Sequence, residues 1–567
     1  MAAHPKPIQP GLAGLPPAAS QGTFNPPPSE PVPDPFSFDK PRDPHWYKRA
    51  LFYEVLVRGF HDSNDDGTGD LRGLTSRLDY LQWLGIDGIW LSPTMPSPDQ
   101  DWGYAVSDYL AVHPELGTLA DMDKLIAEAG QRGIKVVLDL VPNHTSSAHA
   151  WFTDARSGRD SVHRGYYVWA DPVKGESEGG MGKRAGAGGP PNNWRDATGA
   201  SAWTLDDASG QYYLHNFLPG QPDLNWWDPR VHEEFRDIIR FWFDRGVAGF
   251  RIDVAHGLYK DAQLRDNPPL TGGGRLDGGF GLRPVYSSHR PETHGVYRDW
   301  RKIADGYTPQ RLLLGETWMG DLGKLASYYG HDDELDLAFN FPFVFAEFGA
   351  DALAGVVDQT LARLPAGASP VWMASNHDIS RFPTRWGGGD ERKARLALLV
   401  LATLPGTTTF YYGDEIAMTD VAVPKELRRD RMTPGVGTQG RDAERTPMQW
   451  DASPSAGFTA EGVTPWLPFG DNAERNVAAQ REDPGSTLRL FRDLLALRRT
   501  AFAGQVVPYE RLPAPPGVWS YRSGPLLVTA NFTDSPVPIP PPAGEVLLAT
   551  GPGAALGPWQ ALVTRAS

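Results

Sequence analysis

The sequence predicts a closed (β/α)8 barrel with a small domain inserted after its third strand and an all-β domain behind it. Three observations carry this expectation. Eight short segments rich in Val, Ile, Leu and aromatics alternate with stretches of helical period between residues 51 and 415. A long excursion, 143–225, separates the third of them from the next helix-and-strand pair. Past a last helical segment, the remaining chain reads as short strands only.

In chain order, the expected strands are 51-LFYEVLVRGF, 86-IDGIWLSP, 134-IKVVLDLVPNH, 246-GVAGFRID, 311-RLLLGET, 335-LDLAFNFPF, 370-PVWMASNH and 407-TTTFYYGDE. Between the first two, Leu71, Leu74, Leu78 and Leu81 recur at helical spacing, and Gly85 follows as a C-cap. The segment 488-LRLFRDLLALRR closes the barrel region, and 525-PLLVTANF and 545-EVLLAT open an all-β unit. Residues 1–44, with NPPPSEPVPDPF, hold too little apolar surface to order themselves and are expected to be a disordered extension. The expected domains are therefore 45–142 with 226–500 for the barrel, 143–225 for the insert and 501–567 for the C-terminal unit.

Composition narrows the function. The chain has 567 residues, more than one ordinary core accommodates, and carries 54 Lys+Arg against 69 Asp+Glu, a net charge of −15 without a basic block. That balance argues against a nucleic-acid partner and suits a neutral or cationic small ligand. Cysteine is absent, so disulfides and thiolate metal sites are excluded. The 19 Trp exceed what a core needs and suit the C–H faces of sugar rings. No run of 18 apolar residues exists, so no membrane span is expected. The first 20 residues lack both a positive cluster and an unbroken apolar stretch, which makes the cytoplasm the expected address.

In such a barrel the C-terminal ends of the strands build the active site. There the sequence places Asp139, Asn143 and His144 on strand three, and Arg251, Asp253 and His256 on strand four. Strand five gives Glu316, and strand seven gives Asn376, His377 and Asp378. One charged residue at a strand end is usually a salt bridge. Clustered carboxylates from three strand ends cost several kcal/mol unless chemistry uses them.

Four segments, 139-DLVPNH, 249-GFRIDVAHG, 315-GETW and 375-SNHD, resemble in sequence and order the α-amylase superfamily of glycoside hydrolases (family 13). The resemblance covers nearly everything from residue 46 onward. The segments 101-DWGY, 191-PNNW, 221-QPDLN and 441-RDAERTPMQWD resemble its oligo-1,6-glucosidase and α-glucosidase branch. The resemblance implies Asp253 as nucleophile, Glu316 as general acid/base and Asp378 as the carboxylate that grips the sugar hydroxyls. Retaining glycosidases need one ionised and one protonated carboxyl about 5–5.5 Å apart. Arg251 is expected to hold Asp253 ionised, and apolar neighbours to keep Glu316 protonated. His144 and His377 are implied to bind sugar hydroxyls, Tyr104 to lie under the sugar, and Asp101 with Arg445 to close the pocket; Arg441, four residues away, is the substitute for Arg445. A closed pocket implies removal of single glucose units from a chain end.

Two departures stand out. Ala105 occupies a place usually held by Asp, and seven glycines crowd 175–189, where a surface linker is expected. In 62-DSNDDGTGD, Asp62, Asn64, Asp66 and Asp70 recur at every second residue with the Thr68 carbonyl between them, a pattern that suits a hard cation. Gly73 stands where an EF-hand needs Glu, and the branch carries such a loop after its first strand, so a structural Ca²⁺ is implied.

The leading expectation is a retaining, exo-acting α-glucosidase acting on maltose and short oligosaccharides. Trehalose synthase is the alternative suggested by 46-WYKRALFYEVLVRGFHDSNDDGTGDLRGL, and an oligo-1,6-glucosidase the alternative suggested by Val254 after the nucleophile. His256, placed to meet the leaving sugar, tips the linkage expectation toward α-1,4. A non-enzymatic, glucosidase-like transporter subunit would need a membrane span and tolerates broken catalytic residues; this chain has no span and all three carboxylates.

Overall fold

All eight expected segments form strands: β1 (Leu51–Val55), β2 (Gly88–Leu91), β3 (Lys135–Leu140), β4 (Gly249–Ile252), β5 (Leu312–Gly315), β6 (Leu337–Ala338), β7 (Val371–Met373) and β8 (Thr407–Tyr411). This computed structural model describes residues 32–33, 45–98, 101–173, 188–272, 276, 278–430, 440–538, 544–551 and 556–565. The expected disordered extension, apart from Val32–Pro33, and nearly all of the glycine-rich stretch lie outside the described residues. The strands pair in parallel in the order β6-β5-β4-β3-β2-β1-β8-β7.

Alternation along each strand sends side chains to two cores. Phe52, Trp90, Val137, Leu312, Leu314, Leu337, Val371 and Met373 fill the barrel. Their neighbours Tyr53, Ile89, Val136, Leu138, Leu313 and Trp372 pack outward against the helices. Burial on both faces explains why these strands read as unbroken apolar runs. The register also sets the chemistry: Asp139 of β3 lies directly opposite Arg251 of β4, and Arg251 opposite Leu314 of β5.

The helix expected over the leucine repeat forms as two pieces, Leu71–Ser76 and Leu78–Leu84, which meet at Arg77, and Gly85 caps the second at φ 88°. The helix Pro229–Asp244, N-capped by Asp228, buries Val231, Phe235, Ile238, Ile239, Trp242 and Phe243 against the barrel just before β4. The insert carries a three-stranded antiparallel sheet (Trp169–Ala170, Gln211–Leu214, Trp203–Asp206) around its own small core of Trp194, Trp203 and Leu214. The last helix, Thr487–Phe502, leads to a five-stranded antiparallel sheet that begins at Tyr509. Tyr521 and Thr403 hydroxyls, 2.6 Å apart, fasten this sheet to the barrel. Among the described residues no helix is long and apolar enough to cross a membrane.

Candidate active site

At the C-terminal end of β3 and β4 one guanidinium serves three carboxylates. Arg251 Nη1 donates to Asp139 Oδ1 at 3.0 Å and to Asp253 Oδ1 at 2.7 Å, while Nη2 stands 2.9 Å from Glu316 Oε1. Arg251 is fully buried, and its plane lies near the rings of Trp90 and Tyr104. Val254, the residue after Asp253, has φ 45°, a conformation that a β-branched residue adopts only under constraint. In that conformation its N–H donates to Glu316 Oε2 at 3.0 Å. The segment from Arg251 to Val254 thus holds both carboxylates, Asp253 through the Arg251 side chain and Glu316 through that side chain and the Val254 amide.

A tight turn supplies the next wall. Tyr104 N donates to Asp101 O at 2.9 Å across Trp102 (φ 44°) and Gly103 (φ 103°). A Cβ at residue 103 would lie 2.8 Å from Pro93 O, so glycine is required there. The turn brings Tyr104 Oη to 3.0 Å from Asp139 Oδ2, to which it donates, and to 2.7 Å from His377 Nε2, with the two rings stacked 5.3 Å apart. His377 Nδ1 pairs with Glu54 Oε1 of β1 at 2.5 Å, and Nε2 with Asp378 Oδ2 at 3.2 Å.

Asp378 is gripped by two arginines through one oxygen: Arg441 Nη1 at 2.8 Å and Arg445 Nη2 at 2.7 Å. Arg441 continues to Asp101 Oδ1 at 2.6 Å and Asp430 Oδ1 at 2.8 Å. Arg445 instead turns inward, donating from Nε to the His377 carbonyl at 2.7 Å. The pairing expected between Asp101 and Arg445 is therefore made by Arg441. The physical reason is reach: Arg445 is fully buried beneath the wall, whereas Arg441 lies on the cavity surface.

These contacts sort the charges. Burial pushes the Asp253 carboxyl well above the usual carboxylate range; Arg251 opposes this, and Glu316, Asp139 and Asp378 add to it. Burial likewise raises Asp139 to about 6 against the pull of Arg251. The expectation that Arg251 holds Asp253 ionised left out the two other carboxylates that share the guanidinium. One cation facing three carboxylates keeps a proton within the cluster, as a pair of catalytic carboxyls requires. His377 is the reverse case: burial alone would lower it, but Asp378 and Glu54 raise it to about 9. Burial would raise Asp378, yet His377, Arg441 and Arg445 hold it well below the carboxylate range.

A cavity of about 960 Å³ opens above this cluster, lined by Asp101, Tyr104, His144, Asp253, Val254, His256, Glu316, Asp378 and Arg441 among others. Three residues expected in the substrate site, Arg251 beside the nucleophile, His377 on the sugar hydroxyls and Arg445 at the pocket's end, have no exposed surface and stand behind its wall. Each of the three reaches the carboxylates in front of it: Arg251 reaches Asp253 and Glu316, and His377 and Arg445 reach Asp378. His144 lines the cavity with Nε2 held 2.9 Å from the Tyr104 carbonyl, and burial keeps it neutral. His256 lines it too, with Nδ1 accepting from Trp318 N at 3.4 Å. Glu54 and Gln221 were not among the assigned site residues, and Arg441 was named only as the substitute for Arg445. Gln221 Nε2 donates to Asp101 Oδ2 at 3.1 Å, and its signal was its place at the head of QPDLN.

The 62–70 turn is a separate structure. Asp62 Oδ1 accepts from the amides of Asn64 and Asp65, and Oδ2 from Gly67 N and Thr459 Oγ1. Asp70 accepts from Gly73 N at 2.7 Å and from the amide and hydroxyl of Ser63. Asn64 Nδ2 donates to Asp66 Oδ2, and Asp66 Oδ1 accepts from Thr68 N. Among the described residues no group of three or more His, Asp or Glu is gathered as a metal site. The oxygens of Asp62 and Asp70 face their own loop; Asn64 and Asp66 are the exposed side chains of the set.

Comparison with known proteins agrees with this geometry. Residues 54–504 match the family model described as alpha amylase, catalytic domain, and 510–565 match one described as a domain of unknown function. An alpha-glucosidase of Culex pipiens is 38% identical over 475 residues, 82% of this chain and 77% of the relative. An oligo-1,6-glucosidase of Heyndrickxia coagulans is 36% identical, covering 87% of this chain and 93% of its own. Among solved structures, an alpha-glucosyl transfer enzyme, XgtA, superposes with a TM-score of 0.83 at 36% identity, over 92% of this chain and 99% of that one.

Proposed function

The chain belongs to the α-amylase family of glycoside hydrolases, in its α-glucosidase and oligo-1,6-glucosidase branch, and from that premise we propose a specific reaction. It is a retaining, exo-acting α-glucosidase that releases glucose from the non-reducing end of maltose and short α-gluco-oligosaccharides. The observation that carries this reading is the bridging of Asp253 and Glu316 by one guanidinium at the floor of the cavity. A pair bridged in this way suits the short separation of about 5–5.5 Å used in double displacement, not the water-spanning gap of about 6.5–9.5 Å.

In the first step an Asp253 oxygen attacks the anomeric carbon while Glu316 gives its proton to the glycosidic oxygen, and the leaving sugar departs. In the second, Glu316 takes a proton from water, the water oxygen bonds to the anomeric carbon, and Asp253 leaves as a carboxylate. Asp378, held ionised by His377, Arg441 and Arg445, binds the hydroxyls of the glucosyl ring. Asp101 and Arg441 close the far end, so only a terminal glucose fits. Tyr104, fixed by Asp139 and His377, supports that ring.

Maltose is the proposed better substrate over isomaltose, because His256 offers a polar contact to the leaving sugar beside Val254. For the 62–70 turn we propose a structural Ca²⁺ that draws Asn64, Asp66 and the Thr68 carbonyl together and turns Asp62 and Asp70 from the donors that hold them here. The test is incubation of purified protein with maltose, isomaltose, sucrose and trehalose, with products identified. Glucose from maltose supports the reading. Trehalose from maltose replaces it with the isomerase.

A further inference from the structure

A separate cavity, of about 630 Å³, shares no lining residue with the catalytic one. We propose that it binds a dianionic phosphoryl group, as free phosphate or as a phosphate ester, between Arg77 and Arg481. The site does not depend on which glycosidic bond the enzyme cleaves.

Its walls come from three parts of the chain. Arg77 stands at the junction of the helices Leu71–Ser76 and Leu78–Leu84, with Tyr80 one turn on. Trp450 and Asp451 follow Arg441 and Arg445 in the segment after β8, and Arg481 comes from the helix Val477–Glu482. The break in the leucine repeat thus has a consequence for side-chain chemistry. Arg77, shared by both helix ends at φ −102°, carries its guanidinium over the Trp450 ring, 4.3 Å from the centroid.

Four guanidiniums gather around this cavity. Beside Arg77 on Trp450, Arg481, Arg489 and Arg492 lie 4.6, 5.6 and 4.9 Å from the centroid of Trp83. Trp83 in turn stacks on Tyr80 of the cavity wall. None of the four forms an ion pair among the described residues, although the chain carries −15 overall. Elsewhere in the molecule Arg251, Arg301 and Arg441 each meet two carboxylates or more. Like charges crowded on one ring repel, and an anion relieves them.

The donors are as little used as the charges. Among the described residues, the four side chains make one hydrogen bond, from Arg77 Nη2 to the Gly457 carbonyl at 3.3 Å. The Nε atoms of Arg77 and Arg489 are buried without a partner. A buried N–H left unmet costs about 1–3 kcal/mol, which an incoming oxygen recovers. Burial disfavours the Arg77 charge, and the attraction of Asp451 offsets that only in part. Asp451 Oδ1 is taken by the amide and hydroxyl of Ser453, and Glu482 stands exposed on the rim.

These features select the ligand. A ring face fixes each guanidinium plane and leaves its N–H edge for oxygen atoms. Two such forks in one cavity suit a tetrahedral dianion, which can engage both, better than a carboxylate with two oxygens. Nothing else in the wall competes for it. The amides of Val477 and Ala478 are spent on the Gln449 and Trp450 carbonyls, and the Tyr80 hydroxyl donates inward to Glu415 at 2.7 Å. A group bound here ties the helix junction at Arg77 to the helix Val477–Glu482, and no covalent bond changes.

The test is isothermal titration calorimetry of the whole protein with inorganic phosphate and with glycerol phosphate, each against chloride at equal ionic strength. One phosphate per chain should bind, and chloride should give only heat of dilution. Tighter binding of glycerol phosphate assigns the site to an ester; equal or weaker binding assigns it to the free anion. Arg481→Gln, on an exposed side chain, should weaken binding about tenfold, the worth of one charged hydrogen-bond partner. Arg77→Gln combined with Arg481→Gln should weaken it about a hundredfold. Arg441→Ala should leave it unchanged. No heat from either phosphate, or an affinity that Arg481→Gln does not move, overturns the proposal. Binding lost in Arg441→Ala overturns it as well, since the anion would then sit in the catalytic cavity.

Discussion

The turn at 62–70 and the mouth of the barrel both gather acidic side chains, and they meet the charge in opposite ways. In the turn, Asp62 alone takes four donors, three of them amides of its own loop. At the mouth, Asp139, Asp253 and Glu316 share a single guanidinium. Local amides fix a carboxylate in one orientation. Carboxylates that outnumber their cations hold a mobile proton and an unquenched oxygen, which is what acid–base and nucleophilic chemistry needs. Both regions gather acidic residues; neutral amides of the same loop hold the turn, while one shared cation holds Asp253 and Glu316 at the mouth.

The sharpest way to break that contrast is at the mouth. Asp253→Ala and Glu316→Gln should each lower kcat/KM by about 10,000-fold, roughly 5 kcal/mol of transition-state stabilisation. Neither should lower the melting temperature, because each removes a carboxylate from an overcrowded site. A variant that loses activity only as it loses structure would assign these residues to the frame instead.

Next in size is a pH effect. His377 has its ring raised from an ordinary 6.5 to about 9 by Asp378 and Glu54, net of the opposing effect of burial. Because the folded value is the higher one, the stabilisation is complete below pH 6.5 and is lost as pH rises through 9. Its size is on the order of 3 kcal/mol. Chemical denaturation between pH 6 and 10 should show that loss, and His377→Gln should abolish it. A pH-independent stability across this range would contradict the pairing.

The closing arginine comes third. Arg441→Ala should raise KM and cost about 2 kcal/mol in kcat/KM through the lost charged hydrogen bonds to the cavity wall. Its product pattern should also spread to internal cleavage of longer oligosaccharides. If Arg445→Ala alone does this and Arg441→Ala does not, the wall is wrongly assigned. The smallest effect belongs to the turn. Chelation should lower the melting temperature by a few degrees, because a cation at a hundredfold excess over its Kd adds about 2.7 kcal/mol. The initial rate should hardly move. An unchanged melting temperature after verified removal would leave the turn to its own amides.

The barrel was legible because its strands are buried on both faces, so each appears as a compact apolar run ending in a polar residue. The leucine repeat was legible as helix, but not its break, since the packing at Arg77 that splits it leaves no mark in the spacing. Within the site, Asp139, Asp253, Glu316 and Asp378 announced themselves as charges at strand ends. Glu54 did not: it sits inside an apolar run, and its partner His377 is 323 positions away. Arg441 and Arg445 offered the same chemistry four residues apart in a segment without regular structure. Only the folded path decides which one reaches Asp101. The surroundings of Asp253 were read incompletely for a related reason, because the register that adds Asp139 and Glu316 to the same guanidinium is a property of the sheet, not of the motif.

The central claim is that Asp253 and Glu316 act in turn on one anomeric carbon. Proton NMR of the sugar first released from maltose, recorded before mutarotation, tests it most directly. Double displacement predicts α-glucose as the initial product, with the β-anomer growing in only at the spontaneous rate. β-Glucose appearing first would mean a single displacement by water and would contradict the account.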